Sequence, residues 1–136
     1  SGSLGAKLKT VEDLMIKGNN IPFINENIYM KIALKVMNKF NNGVLIVRNK
    51  KKQTLGIISD GDIKRISEKN SNIKNLITKK IMKRNPISVA KDMLAAQALS
   101  IMNSKKVTCL CVHSNKNKKK TIGIITIHNI LYANIR

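Results

Sequence analysis

A chain of 136 residues with 43% hydrophobic residues can bury a core, as one domain or as two half-domains, which excludes a disordered tail. No apolar run approaches the roughly 20 residues that span a membrane, and the first ten residues lack the apolar centre of a secretory signal, so the expected compartment is the cytoplasm. The net charge of +19 invites a nucleic-acid reading, but 22 of the 26 basic residues are lysines spread over helix faces, loops and connectors, and aromatic residues are 3%. Arginine forks for bases and rings for stacking are therefore scarce. Asn and Ile are also abundant and share A/T-rich codons with Lys, so base composition accounts for much of the charge, and nucleic acid is not the expected partner.

Residues 1–10 read as a linker. Thr10 stands where a helix cap belongs, with Glu12 and Asp13 behind it, so the sequence predicts a short helix over 11–15. Pro22 sets an extended piece over 21–24. Apolar residues at 28, 32, 33, 36, 37 and 40 follow a helical period, closed by Asn41-Asn42-Gly43. Strands at 44–47 and 55–58 flank a basic turn, and a helix over 60–68 and a connector at 73–77 follow. The order then recurs: a helical turn at 79–82, an extended piece at 86–89, a helix at 93–102, strands at 107–112 and 122–125, and a helix at 129–134.

The recurrence is also one of residues. Gly56, Ser59, Asp62 and Ile63 match Gly123, Thr126, Asn129 and Ile130 at a constant offset of 67, as do 13–15 and 80–82. Ala33, Leu34 and Met37 match Ala98, Leu99 and Met102 at 65, and the difference is absorbed in the lysine-rich loops at 48–54 and 113–121. Length changes confined to loops, with both flanks in register, mark a duplicated unit. Each half reads as β-α-β-β-α, an α+β unit with helices on one face of a three-stranded sheet. Neither half is long enough to bury that sheet alone, so the two are expected to pack sheet to sheet with pseudo-twofold symmetry, leaving two clefts.

The chemistry concentrates where a strand meets a helix, at Gly56-Ile-Ile-Ser-Asp-Gly-Asp-Ile-Lys-Arg65 and again at Gly123-Ile-Ile-Thr-Ile-His-Asn-Ile130. Ser59 and Thr126 suit helix caps, and Asp62 and Asn129 lie three residues on. A helix start also offers N–H groups and a positive dipole end to phosphate, while a carboxylate or amide can meet ribose hydroxyls. Capping and ligand contact are compatible roles. Asp60 and Gly61 belong to the first junction, with Gly61 permitting close backbone approach. Arg65, one turn into the helix, can reach an anion, and His128 takes the place of Gly61 in the second junction. Two carboxylates without further ligands make a poor cation cage, so no metal is expected at Asp60 and Asp62. Cys109 and Cys111 share one face of a strand about 6 to 7 Å apart, beyond usual disulfide reach, and are expected as buried free thiols. His113 begins a loop and receives no role. No Ser-His-Asp grouping, metal-ligand spacing or Gly-Lys-Ser/Thr phosphate loop is present, so the chain is not expected to be an enzyme by itself.

The repeated pattern from 11 to 135 resembles a pair of cystathionine-β-synthase (CBS) domains, the Bateman module. In that family the Gly-h-x-Thr/Ser-x-x-Asp/Asn motif lines the cleft, and it is met by Gly56, Ser59 and Asp62 and by Gly123, Thr126 and Asn129. Gly2-Ser-Leu-Gly-Ala-Lys-Leu8 leading into Val11-Glu-Asp-Leu-Met15, the run Ile57–Arg65, and Asn85-Pro86 through Met93–Leu99 are also similar to arabinose-5-phosphate isomerases of the 3-deoxy-octulosonate pathway. The resemblance implies a linker at 1–10 from an N-terminal sugar-isomerase domain, CBS repeats at 11–70 and 77–136, and a homodimer formed through them. It implies no cofactor but a regulatory nucleotide, an adenine nucleotide or a CMP-linked sugar, whose occupancy shifts the two halves. A ligand-free dimerisation module is the alternative. Asn129 stands where that isomerase family often has Asp.

Overall fold

The computed structural model describes residues 5 and 8–134; most of the linker expected over 1–10 lies outside the described residues. Two compact units form. The middle unit runs from Asn19 to Pro86, and the split unit joins the chain up to Gly18 with the chain from Ile87 onward.

In the middle unit, β2 (Phe23–Asn25), β3 (Val44–Arg48), β4 (Thr54–Ser59) and β5 (Lys83–Arg84) make a four-stranded sheet in that order. Only β2 and β3 are parallel. Helices α2 (Met30–Phe40), α3 (Asp60–Lys69) and α4 (Thr78–Ile81) complete the unit. Its core joins Met30, Ala33 and Met37 of α2 to Leu45, Val47 and Ile58 of the sheet. Positions 30, 33 and 37 are one helical stripe, and 45 and 47 share one strand face. Asn41 ends α2 in the left-handed region, with φ of 54°.

The split unit repeats this plan with β6 (Ser88–Ala90), β7 (Cys109–Ser114), β8 (Asn117–Thr126) and β1 (Ile16–Lys17), and with α1 (Val11–Leu14), α5 (Ala95–Lys105) and α6 (Ile127–Tyr132). Its core is Ala98, Leu99 and Met102 on Leu110, Val112, Ile125 and Ile130.

Each sheet therefore has four strands where three were expected. The fourth is a two-residue strand after α1 or α4, too short to show an alternating pattern. β1 pairs antiparallel with β8, setting Lys17 opposite Gly123, and β5 pairs with β4, setting Arg84 opposite Gly56. A Cβ on Gly123 would lie 2.9 Å from the Ile16 carbonyl oxygen, so only glycine lets the added strand sit this close. The partner strands cross between the repeats: β1 belongs by sequence to the first repeat and completes the sheet of the second, and β5 does the reverse.

Several boundaries also move. α2 and α5 begin at Met30 and Ala95, two residues later than the apolar period suggested, with Tyr29 and Leu94 as caps. α6 begins at Ile127 rather than 129, because Thr126 is the cap and Asn129 lies inside the first turn. β7 starts at Cys109 rather than 107 and continues through His113, which is a strand residue and not a loop residue.

Candidate ligand-binding junctions

At the end of β4 the backbone of Ser59 stays extended and its side chain turns to cap α3. The Ser59 hydroxyl accepts from the Asp62 N–H at 3.2 Å, and Asp62 Oδ2 accepts from the Ser59 N–H at 3.0 Å. This reciprocal pair satisfies two N–H groups that a helix start leaves unpaired. Asp62 is 4% exposed. Its Oδ1 accepts from Lys83 Nζ at 3.1 Å and pairs with the Arg65 guanidinium. Burial pushes the Asp62 carboxyl up, but the Ser59 N–H, Lys83 and the Ser59 hydroxyl together outweigh it and hold the group below its ordinary value.

The second junction has the same frame with different chemistry. Thr126 Oγ1 accepts from the Asn129 N–H at 3.3 Å, and Asn129 Oδ1 accepts from the Thr126 N–H at 2.8 Å. The Thr126 hydroxyl donates to the same Oδ1 at 2.9 Å. Asn129 carries no charge, and no ion pair forms on it among the described residues.

Ser59, Asp62 and Arg65 thus come together, as do Thr126 and Asn129. Asp60 turns away from that group: its N–H donates to the Gly43 carbonyl at 3.0 Å, and its carboxylate lies against the Cα of Gly43, which has φ of 73°. Gly61 is exposed, and a Cβ there would meet Arg65 only at 3.4 Å, so packing does not require glycine. His128 is exposed on the first turn of α6. The residue that sequence reasoning missed is Lys83. Its signal lay in the duplication, since Lys83 is the counterpart of Ile16 on the strand added beside the motif glycine.

His113, given no role from the sequence, is held within the sheet. It is buried in β7, and its Nδ1 is 2.6 Å from the Ser88 hydroxyl. Burial, followed by the charge of Lys118, lowers its pKa. Cys109 and Cys111 are buried free thiols. Burial pushes Cys111 up to about 11 and Cys109 higher still. Among the described residues no three His, Cys, Asp or Glu side chains gather as metal ligands, and no helix is long and apolar enough to cross a membrane.

Comparison with known proteins agrees with this architecture. The chain is 34% identical over 139 aligned positions to arabinose 5-phosphate isomerase KdsD of Francisella tularensis, covering all of this chain and 41% of that protein. It spans about two fifths of the length of the curated relatives it matches. Among solved structures, a CBS-domain containing protein of Agrobacterium tumefaciens superposes with a TM-score of 0.83 at 17% identity, over 94% of this chain and 95% of the other. CBSX2 in complex with AMP superposes with a TM-score of 0.76 at 22% identity, over 92% and 95%. The CBS domain matches residues 11–69 and again 78–136, so the chain belongs to the CBS-domain family as a tandem pair.

Proposed function

We propose that this chain is the regulatory, nucleotide- or nucleotide-sugar-sensing CBS module of a larger arabinose 5-phosphate isomerase. The observation that carries the reading is the alignment of the whole chain to two fifths of such an enzyme, which leaves the remaining length for a catalytic domain. In this reading that N-terminal domain interconverts ribulose 5-phosphate and arabinose 5-phosphate for octulosonate and lipopolysaccharide synthesis in the cytoplasm. The CBS pair carries no chemistry of its own and joins two copies as a homodimer. A nucleotide sets its phosphate beside Ser59 or Thr126 and its ribose hydroxyls on Asp62 or Asn129. Two features support this: both junctions present side-chain oxygens beside the N–H groups of a first helical turn, and a fold relative, CBSX2, was solved with AMP. Differential affinity for two states of the enzyme then couples occupancy to activity. A CMP-linked octulosonate has the right chemistry for a feedback signal.

A ligand-free dimerisation module is the second reading. It is favoured by the state of Asp62, whose carboxylate is already satisfied by Ser59, Lys83 and Arg65. A thermal-shift panel of AMP, ADP, ATP, CMP and CMP-octulosonate, with tRNA as polyanion control, separates the readings. A ligand of the native state must raise the melting temperature by mass action. A selective rise with one nucleotide establishes the sensor; no rise with any leaves the assembly module. A rise with tRNA alone that collapses with salt identifies a nucleic-acid surface.

A further inference from the structure

The turn from α2 into β3 carries the one Asn-Gly step in the sequence, Asn42-Gly43. α2 ends at Phe40 and Asn41 reverses the chain in the left-handed region, so Asn42 lies beyond the helical ladder, and β3 takes up the chain only at Val44. Both residues of the pair are half-buried and so within reach of water. Backbone N–H groups are normally paired, but the Gly43 N–H donates to no other described residue, and the Asn42 amide makes no hydrogen bond among the described residues. What holds the turn is the Gly43 carbonyl, which accepts from the Asp60 N–H at 3.0 Å. The split unit builds the same connection from Lys106, Val107 and Thr108, at the offset of 65. Lys106 is again left-handed, with φ of 57°, and the Thr108 carbonyl again accepts, here from the Ile127 N–H at 2.9 Å. The connection therefore needs no amide at position 42. Gly43 is another matter: its φ is 73°, and a Cβ on it would lie 3.0 Å from Asp60 Oδ2.

We propose that Asn42 is a site of spontaneous covalent modification, deamidation through a cyclic imide closed by the Gly43 nitrogen. Asparagine is among the thermolabile residues, and glycine after it puts no side chain in the way of ring closure. The Gly43 nitrogen gives up its proton to solvent hydroxide and attacks Asn42 Cγ. A bond forms between that nitrogen and Cγ, the bond from Cγ to the amide nitrogen breaks, and ammonia leaves with a proton from water. Water then opens the imide at either carbonyl, giving aspartate or, where the chain comes to run through Cγ, isoaspartate. The net change is one water in and one ammonia out, with no oxidant, reductant or enzyme. The isoaspartyl product inserts a methylene into the backbone immediately before Gly43. That displaces the Gly43 carbonyl from the Asp60 N–H and disturbs the pairing of Val44 with Ser59. The modification thus reaches the start of α3, where Ser59 and Asp62 stand. The split unit, with valine and threonine in the same places, cannot undergo it.

The test is to age the 136-residue chain in mildly alkaline buffer and follow it by tryptic peptide mapping, with an unaged sample digested in parallel. Trypsin releases residues 40–48 as one peptide, in which fragmentation separates Asn41 from Asn42. The expected result is conversion of Asn42 to the acid ahead of Asn70 and Asn103, which are followed by serine, with isoaspartate detected by an isoaspartyl methyltransferase. A synthetic peptide of residues 40–48, aged alongside, gives the rate without the fold. An Asn42 that stays amidated in the folded chain while the synthetic peptide converts overturns the proposal, as does earlier conversion at Asn70 or Asn103. Hydrogen exchange reads the consequence: the Asp60 N–H should lose protection in the aged chain and keep it in an equally aged Asn42→Gln variant. Unchanged Asp60 protection in a fully converted chain overturns the reach to α3.

Discussion

A Cβ added to Gly56 would sit 2.6 Å from Met82 Sδ and 2.8 Å from the backbone carbonyl of Lys83. The glycine of the repeated motif is thereby explained without any ligand: it lets β5 lie flush against β4 and brings Lys83 to Asp62. Because one of the two obstacles is backbone, rotating the methionine cannot relieve the clash. Gly56→Ala is expected to destabilise the chain by about 2 kcal/mol, as overpacking commonly does, and Gly123→Ala by a similar amount. Urea denaturation measures both. A Gly56→Ala variant as stable as the parent would mean that β5 is free to move off the sheet.

Asp62 should leave a signature in acid. Its folded pKa lies below the ordinary value of 3.8, so the stabilisation is fully present above about pH 4. It is lost as the pH falls through the folded value, where the native state must also take up the proton. Asp62→Asn keeps the cap geometry, as Asn129 demonstrates. It should cost about 1 kcal/mol at neutral pH and flatten stability against pH below 4. An acid limb identical to that of the parent would assign the proton uptake to other carboxyls such as Asp13, whose pKa is lowered by the N–H and hydroxyl of Thr10.

His113 is expected to act in the opposite part of the range. Its folded pKa is lowered by burial first and Lys118 second, so it contributes nothing above about pH 6.5. Below that the unfolded chain protonates first, and the native state loses ground. An NMR titration of the imidazole should show a midpoint below 6.5, and Ser88→Ala, which removes the hydroxyl 2.6 Å away, should shift it. An ordinary midpoint would mean that β7 exposes the ring.

The thiols offer a check on the sheet. Cys109 and Cys111 are buried, and the thiolate form is suppressed in both. Ellman's reagent should find almost no reactive thiol in the native chain at pH 8 and two after denaturation. Rapid reaction of either in the native state would show local opening of β7.

The surface charge predicts a salt response. Among the described residues the ion pairs are those of Asp62 with Arg65 and Lys83 and of Lys91 with Glu12, against a net charge of +19. Between 0.1 and 1 M NaCl the screening length falls from about 10 to about 3 Å, so self-repulsion weakens and the melting temperature should rise. A fall would mean that the Asp62 cluster outweighs the repulsion.

Much of this was legible in the sequence because duplication writes every signal twice. The motif glycines, the caps Ser59 and Thr126, and the stripes 33/37 and 98/102 each recur in register, and periodicity sufficed to find the long helices. What escaped were features with no local signature. A strand of two residues has no alternation, so β1 and β5 were invisible, and Lys83 with them. Tyr29 and Leu94 cap their helices without the hydroxyl or carboxylate that announces a cap. His113 is buried in a strand with its hydroxyl partner, Ser88, 25 residues away.

The crossing of β1 and β5 makes the duplication reciprocal. Each copy has given up its opening segment to the other, so neither repeat as written in the sequence is a foldable piece. Cutting the gene between the family matches, after residue 69, would strand Met82 from Gly56 and Met15 from Gly123, leaving each fragment with a bare sheet edge open to pairing with other chains. The smallest natural excision is instead residues 19–86, taken from across the seam. Such mutual loans explain how two copies can drift far in charge at their junctions and still be inherited together: losing either would unmake the other.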